Sequence, residues 1–176
     1  MKKIILIFLL ILLTLASSSG QASAVQPATP TPVDYRLPYP GILPDHPLYP
    51  VKRFRDFLLL TFNRHPLKKI DLFLLLSDKK IGMSELLLSK RKVNLAVDTL
   101  LESQSDLLKA AFYLPDLSKN NLLPTGLSDK IELSAKKHQE IIGQISVSIT
   151  DLKQKEKINQ ALQLISQANT LTQSVK

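Results

Sequence analysis

Three histidines, His46, His65 and His138, are the only side chains in this 176-residue chain whose ordinary pKa lies near neutrality. A proton shuttle or an imidazole metal site would have to use them. They are far apart in sequence, and none has a second ligand three or four residues on, as a helical metal site requires. The chain has no cysteine, which excludes thiolate zinc sites, disulfides and lipid attachment through a thiol. No G-x-S-x-G or H-E-x-x-H pattern occurs, and five glycines leave little material for a phosphate-binding loop. Carboxylates read as scattered singly on outer helix faces, with no apolar pair of the kind acid and base catalysis needs. We therefore expect a protein that is not an enzyme, with no catalytic, cofactor-binding or metal-ligating residues and no evident small-molecule substrate. His138 falls on an apolar seam with Glu140 pointing elsewhere; it reads as a hydrogen-bonded seam histidine, with a metal or pH-sensing role as the alternative.

The residues least like ordinary bundle sequence are Tyr39 to Asp56, YPGILPDHPLYPVKRFRD. Pro44, Pro47 and Pro50 recur every three residues, the period of a polyproline II helix, and this predicts an extended strap. Pro44, Pro47, Leu48, Tyr49, Pro50, Lys52 and Arg53 are the candidate docking residues. Two readings compete for them. In the first the strap folds onto its own bundle, anchored by Leu48 and Tyr49; in the second it is a ligand for an aromatic-lined groove on a partner. Six of the nine aromatic residues after position 24 lie between 35 and 62, which favours the first.

The elements around this stretch follow from composition and periodicity. Residues 1–24 carry Lys2 and Lys3, an apolar run from Ile4 to Leu13, and small residues ending at Ala24, the layout of a cleaved secretory signal. The run is shorter than a spanning helix needs, so an uncleaved anchor is the secondary reading. Residues 25–42 read as a proline-rich linker, and 43–176 as the folded domain. An exported product, extracellular or held at the cell envelope, follows.

Apolar spacings of three and four predict an all-α bundle of about five amphipathic helices. The first follows Pro50, with Val51, Phe54, Leu58 and Phe62 on one face, and ends near Asn63. The second runs from Pro66 to about Ser89; Leu72 to Leu76 should be its most enclosed part, and Gly82 should kink or break it. The third places Val93, Val97, Leu100, Leu101, Leu107, Leu108, Ala111 and Phe112 on one face, with Asp98, Glu102 and Asp106 away from it, and Pro115 ends it. Residues 116–126 read as a loop. Ile131, Ala135, His138, Ile142, Ile145, Ile149 and Leu152 form a seam in the fourth helix, capped by Ser128, and Ile158, Ala161, Ile165, Ala168, Thr172 and Val175 in the fifth. These two should form a hairpin turning near 150–154.

Charge is uneven. From Val51 to Lys92 there are eleven Lys or Arg against four Asp or Glu, whereas from Val93 onward the count is nine against nine. The basic segment can be a solvated face or can meet anionic lipid or wall polymer; nucleic acid is not expected of an exported chain without a reading motif. The stretch Leu43-Pro44-Asp45-His46-Pro47-Leu48-Tyr49-Pro50-Val51-Lys52-Arg53 resembles the opening motif of a bacterial domain-of-unknown-function family, number 5667, and the likeness continues more weakly to about Ser174. The resemblance implies an exported or membrane-tethered helical domain and brings no known activity. The expected role is a non-enzymatic interaction domain that binds another envelope component. The alternative is an envelope stress or metal-responsive holdase or sensor working through apolar grooves and His138.

Overall fold

The structure is a computed structural model that describes residues 32–176. The residues read as a signal, and the first part of those read as a linker, lie outside the described residues. Those described are all helical apart from turns and extended connections, in the order α1 (Tyr49–Phe62), α2 (Pro66–Ser89), α3 (Val93–Phe112), α4 (Leu114–Lys119), α5 (Leu127–Val147) and α6 (Leu152–Gln173). The expected all-α bundle is what forms, with five long helices and one short one.

Helices α2 and α3 make the tightest pair. Ser77 and Ser103 allow it: each hydroxyl donates to the other's backbone carbonyl at 2.8 Å, so two small side chains satisfy themselves and let the backbones approach. Helix α6 then packs mainly against α3 and α5 completes the bundle against α6 and α2. The core lies where the stripes converge, with Ile70, Leu74 and Ile81 of α2, Val97, Leu100 and Leu107 of α3, Ile131 and Ile142 of α5, and Ile158 and Ile165 of α6 all buried. Burying a side chain of this size contributes about 1.5–3 kcal/mol, so the seams in α5 and α6 fix the hairpin. Asp151 caps α6 by accepting from the Gln154 amide at 3.2 Å, close to the expected turn.

Several local expectations are corrected. Gly82 does not break α2. It is buried inside a continuous helix, and a Cβ placed there would stand 3.1 Å from Pro40, so the glycine is the seat of the extended segment that crosses α2. The enclosed part of α2 is Leu76–Asp78 and Ile81–Ser84 rather than Leu72–Leu76, because Leu75 points outward. Pro115 lies in the first turn of α4, where its missing N–H costs nothing, and Leu114 and Leu117 bury that short helix in the segment read as loop. The N-cap of α5 is Gly126, in the left-handed region at φ 80°, in place of Ser128.

The segment 43–50 is not a polyproline strap. Pro44 and Pro47 each follow the first residue of a turn, closed by hydrogen bonds from His46 N–H to the Leu43 carbonyl and from Tyr49 N–H to the His46 carbonyl, both 3.0 Å. Proline is pre-set for that second turn position, so its three-residue recurrence records two successive turns feeding the first turn of α1.

Candidate functional site

Two regions gather the polar and surface residues that could do work. The first is a buried polar cluster. Asp78 of α2 accepts from the Tyr35 hydroxyl at 2.6 Å, from the Ser134 hydroxyl at 2.6 Å, and faces His138 Nε2 at 3.1 Å. The other imidazole nitrogen, Nδ1, faces Gln104 Oε1 at 3.1 Å, and Gln104 Nε2 donates to the Ser103 hydroxyl at 3.2 Å. One network thus joins the extended segment, α2, α3 and α5 at the centre of the fold, with His138, Ser134 and Gln104 fully buried.

Serine, histidine and aspartate lie together here, but the geometry is that of a structural knot. In a nucleophile relay the imidazole takes the serine proton on one nitrogen and leans on the carboxylate with the other. In this cluster Ser134 and His138 Nε2 both turn to the same Asp78 oxygen, and Nδ1 is occupied by Gln104. Both nitrogens are engaged inside the cluster, and neither faces an open space where a substrate or a metal could sit. Among the described residues no group of three or more potential ligands could hold a metal ion. The seam position of His138 is legible from periodicity, whereas Asp78 corrects the reading of carboxylates as lying on outer faces. Asp106 corrects it too: it is buried between Lys80 at 2.9 Å and Lys109 at 3.0 Å. Burial pulls the Lys80 pKa down, yet the Asp106 and Glu102 carboxylates outweigh it and hold the ammonium above its ordinary value.

The network also anchors the chain that the sequence reads as linker. Val33 N–H donates to Glu140 at 2.8 Å and Leu37 packs on the core, and just past the linker Asp45 meets Lys92 at 2.9 Å and Lys90 at 3.1 Å. Hydrogen bonds from these two lysines hold the Asp45 carboxyl below its usual range. Burial, and then the bond to Asp78, push the Tyr35 phenol well above its ordinary value. A raised folded-state pKa means the contribution is complete below about pH 10 and is lost as pH rises beyond it. Tyr35→Phe should therefore cost about 1.5 kcal/mol at neutral pH, the low end for a bond to a charged group given that the ring is half-exposed. The difference from wild type in urea melts should shrink steadily above about pH 10; a difference independent of pH would detach the phenol from Asp78.

The second region is α1 and the turns before it, which hold the sequence-derived docking residues. Pro47 and Pro50 are exposed, Pro44 is half-buried, and Leu48 is 53% exposed, so it is no anchor. Tyr49 is half-buried against a groove of about 270 Å³ that it shares with Asp56, Leu60, Lys80 and Asp106, and burial raises its phenol pKa. Lys52 turns inward, its ammonium 3.7 Å from the Met83 sulfur and 5.4 Å from the Tyr49 ring, and burial lowers its pKa. Arg53 is exposed. Asp56 pairs with Arg55 at 2.6 Å.

With Tyr49, Lys52, Asp56 and Leu60 on the bundle side, the opposite side of α1 holds the apolar stripe. None of the fourteen residues of α1 is buried; Val51, Phe54 and Phe62 are 67%, 62% and 77% exposed, and Phe57 is exposed beside them. The stripe that periodicity finds is real and faces away from the core.

A helical scaffold carrying one amphipathic helix with its apolar side outward is the class these features define. The chain belongs to the family described as "Domain of unknown function (DUF5667)", which matches residues 41–176. The match takes in the turns and every helix among the described residues, while Tyr35 lies just before it. No curated protein and no solved structure matches the chain. Among the described residues no helix is long and apolar enough to cross a membrane.

Proposed function

We propose that this is a non-enzymatic interaction domain, exported and working at the cell envelope, in which the bundle is the scaffold and α1 the contact surface. The observation that carries the reading is the outward stripe of α1. A helix that buries none of its residues gains little from tertiary packing, the usual source of helix stability. Exposed aromatic side chains in a row mark a surface that something else covers. The basic segment and the amino-terminal signal layout support a location at the envelope. The metal-responsive alternative would need a free His138 nitrogen, and both are engaged.

The test uses Phe54→Ser combined with Phe62→Ser, two exposed positions whose change should leave the fold intact. In fractionated cells the wild-type chain is expected with the envelope and the doubly substituted chain in the soluble fraction or the medium, with identical circular dichroism. An unchanged distribution would remove α1 from the reading.

A further inference from the structure

The chemistry of α1 and its surroundings narrows what can cover it. We infer that α1 is an interfacial helix that lies in the plane of an anionic lipid surface, a step that rests on α1 being the contact face. Three features point there.

The first is charge. From Leu48 to Lys69 there are six basic residues, Lys52, Arg53, Arg55, Arg64, Lys68 and Lys69, and one acid, Asp56. That acid is paired with Arg55 and its side chain is only 15% exposed, so the outward side presents no free negative charge. Each Lys or Arg held near an anionic surface strengthens binding by about five-fold, and four of these six are exposed.

The second is the composition and direction of the apolar stripe. Val51, Phe54, Leu58 and Phe62 follow one another at steps of three, four and four, with Phe57 beside them, and they stand on the ridge of the helix. A ridge with phenylalanines at its crest and arginines on its flanks suits insertion to the depth of the headgroup boundary, about 5–10 Å. A purely charged wall polymer would engage the arginines and leave the rings in water.

The third is continuity. Leu48 and Val51 share an apolar hollow of about 340 Å³ with Pro40, Gly41 and Ile42 of the turn region, and Lys79 and Arg55 stand at its edge. The apolar surface therefore broadens beyond α1, again with basic residues at the margin. Tyr39, 83% exposed, lies in the same connection. Amphipathic aromatic rings of this kind favour the membrane–water boundary.

The chain has no tryptophan, so Phe54→Trp gives a single reporter. The experiment takes the chain from Val25 onward, which contains the whole compact unit and omits the apolar signal. It is mixed with vesicles of phosphatidylcholine alone or with half phosphatidylglycerol. Expected are sedimentation with the anionic vesicles only, and a blue shift of the reporter that a tryptophan at the exposed Leu152 does not show. Phe57→Ser with Phe62→Ser should weaken binding by about ten-fold or more, and Arg53→Gln with Arg55→Gln by a similar factor. Three results overturn the inference. Binding that survives loss of both phenylalanines would be a charge-only contact. Self-association of the chain without vesicle binding would make a second copy the occupant. Failure on vesicles, with envelope retention still dependent on Phe54 and Phe62, would point to a protein partner and leave the contact reading of α1 standing.

Discussion

Asp78→Ala is expected to lower the unfolding free energy by about 3–5 kcal/mol, because three donors lose their shared acceptor at once. Tyr35 can turn to water, but Ser134 and His138 are fully enclosed and cannot. A small domain is stabilised by only about 5–15 kcal/mol in total, so this one substitution should bring the fold near its limit. Asp78→Asn keeps one accepting oxygen in place and should fall between wild type and alanine. Urea denaturation of the three chains measures the order. A loss below about 1 kcal/mol for the alanine variant would mean that water replaces the carboxylate inside the bundle.

Leu100→Asp should be as damaging for a different reason. Leu100 has no exposed surface and sits midway along α3, where α2 and α6 both press on that helix. An aspartate there has to bury a charge without a partner, and a loss of more than about 4 kcal/mol places it among the most severe single changes. The same charge at Phe54 should change stability by no more than about 0.5 kcal/mol, because that side chain already stands in water. Equal losses at the two positions would contradict the sidedness of α1, and thermal melts of both variants decide it.

Much of the architecture is legible in the residues because local patterns dictate it. The heptad steps place Ile131 to Ile145 of α5 and Ile158 to Thr172 of α6 in the core, and Pro50 and Pro66 mark the openings of α1 and α2, whereas Phe112 and Leu152, on apolar faces by spacing, are 67% and 81% exposed. What escaped is whatever depends on residues distant in sequence. The partners of His138 come from positions 78 and 104, and nothing in a run of Ser, Asp, Lys and Lys says that its aspartate turns inward. Gly82 looks like a flaw in a helix until Pro40 is seen lying across it. Periodicity located the stripe on α1 correctly but could not say what would cover it. A three-residue proline repeat is equally compatible with an extended helix and with two linked turns, and the hydrogen bonds of His46 and Tyr49 decide for turns.

The Tyr35 clasp has a temporal side. A chain made from its amino terminus releases Tyr35 about a hundred residues before Ser134 and His138, which complete the Asp78 socket. At common synthesis rates of about 5–20 residues per second that interval lasts roughly 5–20 s. Helices α2 and α3, adjacent in sequence and closely paired, have time to zip together in it, whereas the segment before α1 must wait for α5. The clasp therefore cannot close before α5 is made, and until then α1 is joined to an unfinished scaffold with its phenylalanines already on offer to any surface nearby.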